Sequence, residues 1–194
     1  MEVHAFVTAG GLSSRMATDK AWLQFGDRMM IQRIAAELLR VTPSVAIIAN
    51  DIKYEALGFP VFRDSRLGVG PLEAIRTALE HSSTNWTILV GCDLPFVTAE
   101  LIEFMMDRCK GHEALVPVGA DGFPEPLCAL YECNIRDRVA RLIEDGGRKV
   151  SLLLDNVRTH FIAFDEISHL KNSSRFFINV NTREEYQRAL AEID

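Results

Sequence analysis

The stretch WTILVGCDLPF, residues 86–96, decides the fold that this chain is expected to adopt. Five of its first seven residues are apolar, and Asp93 and Pro95 follow them. This pattern predicts a buried strand that stops before the carboxylate and the proline. An apolar run without polar alternation is typical of a strand covered on both faces, as in a parallel sheet. We therefore interpret residues 86–96 as the central strand.

Similar patterns along the chain predict strands that alternate with helices. Further strands are predicted at residues 3–8, 45–50, 61–64, 113–118, 126–132 and 176–181. Helices are predicted at residues 30–40, 136–144 and 149–154, and two more start at residues 98 and 182. The turn GVGPL (68–72) leads into a further helix that runs through about residue 81. Alternation of this kind predicts an α/β fold with three layers, a mostly parallel twisted sheet carrying helices on both faces.

Length and charge limit the classes of protein that the chain can belong to. With 194 residues, one domain spanning residues 1–194 is expected. The formal net charge of −6 argues against a general affinity for nucleic acid. No apolar run approaches the roughly 20 residues of a membrane span, and the N-terminus lacks the layout of a signal peptide, which predicts a cytoplasmic location without membrane contact. The four cysteines form no C-x-x-C pair and are expected to be reduced and mostly buried.

Polar residues and glycines stand where several predicted strands end. Gly10 and Gly11 follow the first strand, Asn50 ends the second, Asp64 ends the third and Asp93 follows the central strand. Ligands of open parallel sheets bind outside the carboxyl ends of the strands. These residues are therefore expected to line one crevice.

The segment after the first strand has the composition of a phosphate site. Gly10 and Gly11 allow backbone N–H groups to approach an anion closely, while Arg15 and Lys20 add positive charge. The alternative is an ordinary turn between strand and helix whose cations are solvated. The Walker A pattern G-x-x-x-x-G-K-[ST] is absent, and so is G-x-G-x-x-G.

Motifs spread over nearly the whole chain resemble the molybdenum cofactor guanylyltransferase family, the molybdopterin-guanine dinucleotide biosynthesis protein A family. The family signature is L-A-G-G, R-M-G, D-K, G-P-L-A-G, C-D-x-P and N-V-N-T, in this order. The matching segments here are TAGGLSSRMATDKAWL (8–23), GPL (70–72), CDLPF (92–96), FPEPLCALY (123–131) and NVNT (179–182). A set of motifs in one order over this length is a specific signal.

The resemblance implies a Rossmann-like nucleotidyltransferase that moves GMP from GTP to the terminal phosphate of molybdopterin. It also implies Mg²⁺ as cofactor and transient contact with cofactor-delivery proteins or molybdoenzymes. The family motifs imply a backbone cradle for the nucleotide at Thr8, Ala9, Gly10 and Gly11, and catalytic cations on the triphosphate at Arg15 and Lys20. They imply nucleoside contacts at Asn50 and Asp64 and acceptor contacts at Asn179 and Asn181. They also imply that Asp93 is catalytic and binds both the nucleotide and magnesium.

Elementary chemistry agrees with this reading of the residues. An attacking phosphate and a triphosphate repel each other, so cations and a divalent metal are needed where charge develops. One carboxylate suits Mg²⁺, which usually binds through one or two carboxylates plus substrate phosphates. The acceptor phosphate is already ionised, so no nucleophilic side chain is required.

The sequence departs from the family pattern at two places. Ala17 and Thr18 stand where the family has at least one glycine, and alanine resists positive φ. In GPLEA, Glu73 takes the place of a family alanine. Glu73 either complements the positive end of the helix that starts there or lines the pocket for the base.

Asn179 and Asn181 alternate with Val180 on the predicted last strand, which puts both amides on one face. The alternative is a turn in which the asparagines bond to the backbone. Other functions also stay open: a relative that uses CTP or a sugar-phosphate acceptor, or a nucleotide-binding homologue without catalysis. The paired glycines and the GPL segment favour guanine by analogy with the family.

Overall fold

A sheet of seven strands organises the computed structural model, which describes residues 1–10, 19–66 and 68–193. The strands of the described chain are β1 (Val3–Thr8), β2 (Gln24–Phe25), β3 (Arg28–Met29), β4 (Val45–Ile48), β5 (Val61–Phe62), β6 (Trp86–Gly91), β7 (Ala114–Pro117), β8 (Cys128–Glu132) and β9 (Thr159–Ile162). The order in the sheet is β5-β4-β1-β6-β8-β7-β9, while β2 and β3 form a separate hairpin.

The position of β6 confirms that residues 86–96 contain the central strand, since β6 is fourth among the seven described strands of the main sheet. Strand β8 runs antiparallel to both of its neighbours, and every other pairing within this sheet is parallel. The prediction of a mostly parallel sheet is therefore confirmed. Strands β7 and β8 are joined by only ten residues, 118–127, which suits an antiparallel hairpin and is short for a parallel crossover.

Helices cover both faces of the sheet, as predicted. The described helices are α1 (Met30–Val41), α2 (Pro71–His81), α3 (Ala99–Met106), α4 (Arg136–Glu144), α5 (Val150–Asp155), α6 (Phe164–Ile167) and α7 (Arg183–Ala191). One apolar core lies between the sheet and helices α1 and α3, and a second lies between the sheet and helices α2, α4 and α5. Alternate residues of β1 enter opposite cores: Val7 joins the first and Phe6 the second.

Helix α1 differs from its predicted face at one residue. Ile31, Ile34, Ala35 and Leu38 are buried as expected, but Leu39 is 47% exposed although the pattern placed it with them. On an α-helix, adjacent residues lie about 100° apart, so a stripe centred on Ile31, Ile34 and Leu38 leaves Leu39 at its solvent side.

The predicted strand at residues 176–181 is wrong. These residues follow a 3₁₀ turn (Ser173–Arg175), and the N–H of Ile178 donates to the carbonyl of Arg175. Phe176 and Val180 are still fully buried, so apolar residues of this segment pack into the core without pairing in the sheet. Strand β9, which was not predicted from the sequence, pairs in parallel with β7 and forms one edge of the sheet.

Two further predictions concern the cysteines and membrane-spanning helices. Cys92, Cys109 and Cys128 are buried and Cys133 is partly buried, and all four are free thiols, which confirms that prediction. Among the described helices, the longest of which is α1 with 12 residues, none has the length and apolar character needed to cross a bilayer.

Neighbouring leucines of α1 provide a test of the core. Leu38→Ala should lower the free energy of unfolding by about 2–5 kcal/mol, because Leu38 is fully buried and its truncation leaves a cavity. Leu39→Ala removes the same atoms from an exposed position and should cost less than about 1 kcal/mol. Urea unfolding of both variants measures the difference. Equal losses would contradict the assigned helix face.

Candidate functional site

The carboxyl ends of β1, β4, β5 and β6 surround an open cleft of about 1430 Å³. Because these strands are parallel, the residues that follow them meet at one edge of the sheet. Of the residues expected there, the following line the cleft: Thr8, Ala9, Gly10, Lys20, Asn50, Asp64, Asp93 and Asn181. Gly11, Arg15 and Ala17 lie outside the described residues.

An ion pair between Lys20 and Asp93 lies at the base of this cleft. The Lys20 Nζ is 2.9 Å from Asp93 Oδ2 and 2.8 Å from Asn181 Oδ1. The side chains of Lys20 and Asp93 are 16% and 21% exposed, so the pair is partly withdrawn from water. Three segments that are distant in sequence therefore meet at one ammonium group.

Asp93 is fixed by the turn that ends β6. The N–H of Leu94 donates to the carbonyl of Gly91, and the carbonyl of Asp93 accepts from the N–H of Val180. A Cβ added at Gly91 would lie 2.5 Å from Asp93 Oδ1, so glycine is required for the carboxylate to fold back over the strand end. The second oxygen, Oδ2, faces Lys20.

Gly10 supplies the bend at the end of β1. Its φ of +86° lies in the left-handed region, and among the described residues, apart from its chain neighbours, no atom lies within 4 Å of the place where a Cβ would stand. Conformation and not crowding therefore favours glycine here.

Asn181 reaches the cleft from the cap of α7. The carboxylate of Glu185 accepts from the N–H groups of Asn181 and Thr182, and the Thr182 hydroxyl accepts from the N–H of Glu185. Thr182 and Glu185 thus form a capping box at the start of α7. It holds the backbone of Asn181 in place although the segment before it is not a strand.

Asn179 does not line the cleft. Its side-chain amide donates to the carbonyl of Phe177 at 3.4 Å, as in the alternative in which the asparagine bonds to the backbone. Only Asn181 of the two amides lines the cleft that holds Lys20 and Asp93. An acceptor contact remains a prediction for both residues.

Asn50 and Asp64 contact each other on the other side of the cleft. The side-chain oxygen of Asn50 accepts from the N–H of Asp64, and Asp64 Oδ1 accepts from the Thr77 hydroxyl at 2.8 Å. Burial raises the pKa of Asp64, and the nearby carboxylate of Glu73 adds to the increase. The two residues expected to contact the nucleoside are thus hydrogen-bonded to each other, and Asp64 is also bonded to Thr77 of α2.

Glu73 holds the segment before α2 and does not line the cleft. It is 1% exposed and accepts hydrogen bonds from the N–H of Arg66, the hydroxyl of Ser65 and the guanidinium of Arg76. Of the two readings of Glu73, the base pocket is therefore not supported. Its position in the first turn of α2 agrees with a favourable interaction with the helix end.

Several residues of the cleft were not identified from the sequence. They include Asp19, Lys53, Tyr54, Arg63, Arg66, Ala74 and Leu127. Asp19 belongs to the D-K pair and could have been singled out from that motif. Ala74 and Leu127 lie in the GPLEA and FPEPLCALY segments, but nothing in those motifs points to either residue as a cleft contact. Lys53 and Tyr54 lie in the 3₁₀ segment Ile52–Leu57, and Arg63 and Arg66 follow β5, where only the folded chain brings them to the edge of the sheet.

Glu125 is a half-buried carboxyl group in the hairpin between β7 and β8. Its backbone N–H donates to the carbonyl of Pro117 at 2.9 Å. Burial raises the pKa of Glu125 to about 7, and the charges of Asp121 and Asp93 add to the increase. The protonation state of Glu125 therefore changes near neutral pH.

This pKa predicts a pH dependence of stability. A carboxyl whose pKa is higher in the folded state stabilises the fold at low pH, and this contribution is lost as the pH rises from about 4.5 through about 7. Glu125→Gln should remove the loss, so its stability relative to the wild type should increase between pH 5 and pH 8. Urea unfolding across this range measures the effect.

The exposed carboxylate of Glu144 offers a control. Glu144→Gln tests whether the removal of any carboxylate alters the pH profile. If the free energies of unfolding of wild type and Glu125→Gln differed by the same amount at every pH, the raised pKa of Glu125 would be contradicted.

Comparisons with known proteins agree with this fold and show the family. The MobA-like NTP transferase domain matches residues 5–159. A probable molybdenum cofactor guanylyltransferase of Carboxydothermus hydrogenoformans is 30% identical over 184 residues, which cover 95% of this chain and 93% of that protein. The molybdenum cofactor guanylyltransferase of Shewanella sp. strain MR-4 is 29% identical over 199 residues, covering 100% and 98% of the two chains.

A solved structure extends the likeness to three dimensions. Molybdopterin-guanine dinucleotide biosynthesis protein A from Archaeoglobus fulgidus superposes with a TM-score of 0.81 at 26% identity, covering 98% of this chain and 97% of the other. The sheet, the cleft at its carboxyl edge and the full-length similarity lead to one conclusion. This chain belongs to the family of MobA-like NTP transferase domains.

Proposed function

We propose that this protein transfers GMP from GTP to the terminal phosphate of molybdopterin and releases pyrophosphate. The observation that carries the proposal is the pair formed by Lys20 and Asp93 in the cleft. Nucleotidyl transfer needs a cation for the phosphates and a carboxylate for a divalent metal at the same place. The names of the relatives support GTP and molybdopterin as the two substrates.

The reaction is a displacement at the α-phosphorus of GTP. An oxygen of the acceptor phosphate forms a bond to this phosphorus while the bond between the α- and β-phosphates breaks, and pyrophosphate leaves. Lys20 would stabilise the charge that develops on the leaving group, and Gly10 would offer its backbone N–H to a phosphate oxygen. The chain needs to supply no covalent intermediate, because the nucleophile belongs to the acceptor.

Mg²⁺ is proposed as the cofactor, and the residues present suit it. Gly91 leaves the space in which Asp93 Oδ1 lies over the strand end, and a carboxylate oxygen is a ligand that Mg²⁺ prefers. Among the described residues no three His, Cys, Asp or Glu side chains cluster as a metal cage, so the remaining ligands of Mg²⁺ would be substrate phosphates and water. Bound Mg²⁺ would neutralise phosphate charge.

Without substrate, Lys20 and Asp93 neutralise each other across 2.9 Å. Each group has a second proposed partner, the triphosphate for Lys20 and the metal for Asp93. Substrate binding would therefore exchange one ion pair for two contacts that carry charge, and neither group would be left buried and unpaired. The cleft exceeds the roughly 300–1,000 Å³ of a pocket for one small ligand, which leaves room for two substrates.

The direct test combines purified protein with GTP, Mg²⁺ and molybdopterin. Pyrophosphate release and formation of a guanine dinucleotide are the expected results. Parallel reactions with CTP, or with a sugar phosphate as acceptor, should release little pyrophosphate. Preference for CTP or a sugar phosphate would favour the corresponding alternative, and binding of GTP without turnover would indicate a non-catalytic homologue.

A substitution at the proposed metal ligand tests the mechanism. Asp93→Asn keeps the shape of the side chain but removes its charge, so turnover should fall by at least about 10²-fold while the melting temperature changes little. Asp107→Asn, at an exposed position after α3, is the matched control and should keep the rate of the wild type. Turnover within a factor of two of wild type in Asp93→Asn would remove Asp93 from the mechanism.

A further inference from the structure

Asp19, which directly precedes Lys20, is held by three hydrogen-bond donors. Asp19 Oδ2 accepts from the Tyr54 hydroxyl at 2.7 Å and lies 2.7 Å from Lys53 Nζ. Asp19 Oδ1 accepts from the N–H of Ala21 at 3.2 Å. Burial acts to raise the pKa of Asp19, but these donors outweigh it and lower the pKa, so the carboxylate stays charged.

Tyr54 is the donor with the most rigid surroundings. It is fully buried, and its ring centre lies 5.7 Å from that of Trp22. Its 3₁₀ segment, Ile52–Leu57, begins at a cap in which Asp51 accepts from the N–H of Lys53 and ends at Gly58, whose φ is +78°. Burial raises the pKa of Tyr54, so the phenol stays protonated and donates to Asp19.

Lys53 is the weaker of the two side-chain anchors. It is 42% exposed and divides its charge between Asp19 and Asp51. An exposed ion pair is screened by water and salt, whereas the Tyr54 hydroxyl is held by a buried ring. Tyr54 is therefore expected to fix the position of Asp19 more firmly than Lys53 does.

The position of Asp19 determines where the lysine side chain begins. Asp19 caps the three-residue turn Lys20–Trp22, which is too short to hold its own direction. On the other side, Ala21 is fully buried and the carbonyl of Leu23 accepts from the N–H of Met30. The backbone of Lys20 is thus fixed on both sides, while its flexible side chain extends to Asp93.

We infer that Tyr54 is a positioning residue, which acts through Asp19 to hold Lys20 at the phosphate side of the cleft. The inference deepens the proposed function and rests on its assignment of Lys20 to the triphosphate. Tyr54 itself need not touch substrate. A displacement of about 1 Å in a group that binds the reacting phosphates is enough to cost about 10²-fold in rate, so a fixed lysine has a large effect.

Tyr54→Phe tests the inference because it removes the hydroxyl and keeps the buried ring. Binding of inorganic pyrophosphate with Mg²⁺, measured by calorimetry, reports on the phosphate side without any acceptor or base. Tyr54→Phe should weaken this binding about tenfold, and Lys20→Gln should weaken it at least as much. In the Lys20→Gln background, Tyr54→Phe should add less than about a twofold loss, because residues that act through one contact are not additive.

Thr42→Val is the matched control. The Thr42 hydroxyl donates to the carbonyl of Val3 at 2.7 Å in a buried place at the start of β1, the end of this strand that is remote from the cleft. This variant also loses one buried hydroxyl and should lower the melting temperature, but pyrophosphate affinity should stay within a factor of two of wild type. If lower stability alone weakened pyrophosphate binding, Thr42→Val would weaken it as Tyr54→Phe does.

The outcomes separate the inference from the proposed function. The positioning role would be overturned if Tyr54→Phe weakened pyrophosphate binding equally in the wild type and in Lys20→Gln, or if it did not weaken binding at all. Failure of the wild type to bind pyrophosphate would also overturn it. If the pyrophosphate affinities of the two single variants and the double variant are as expected but GTP and molybdopterin give no turnover, the positioning role stands and the proposed reaction is wrong.

Discussion

The parallel pairing of β1 with β6 is the contact on which the rest of the structure depends. It runs in register over six residue pairs, from Val3 opposite Trp86 to Thr8 opposite Gly91. Both strands therefore end at the same height, and the residues Ala9 and Gly10 after β1 lie beside the turn after β6 that carries Asp93. A slip of one residue would exchange the faces of Phe6 and Val7, which pack into opposite cores. The two buried cores thus fix the geometry of the cleft.

The polar network in the cleft is assembled from segments that no local rule connects. Lys20 and Asn181 are separated by 161 residues, and Lys20 and Asp93 by 73. Charges that are partly withdrawn from water need partners, and each of these side chains has one in the structure. The same desolvation that makes an unpaired charge costly makes the arrangement responsive to phosphates and a metal, which would replace these partners.

The C-terminal segment shows how one pattern can have two physical causes. The apolar residues of FFINVN (176–181), with Asn179 and Asn181 alternating with Val180, predict a strand, and Phe176 and Val180 are indeed buried. A strand also needs backbone pairing along its length, whereas here the N–H of Val180 donates to the carbonyl of Asp93 beyond the end of β6, and the N–H of Ile178 donates to the carbonyl of Arg175 within a turn. The segment instead crosses from a 3₁₀ turn to the cap of α7, and packing alone satisfies its apolar residues.

Local sequence patterns were enough to predict the layers, the central strand and most residues at the strand ends. Apolar runs and helical periodicity depend on neighbouring residues only, and parallel strands necessarily bring their carboxyl ends to one edge. Tertiary structure decided which side chains contact one another there. Asn181 binds Lys20 while Asn179 turns to the backbone, and Tyr54 holds Asp19 although no motif marks it. Such contacts join residues far apart in the chain, so only the packed fold sets their distances.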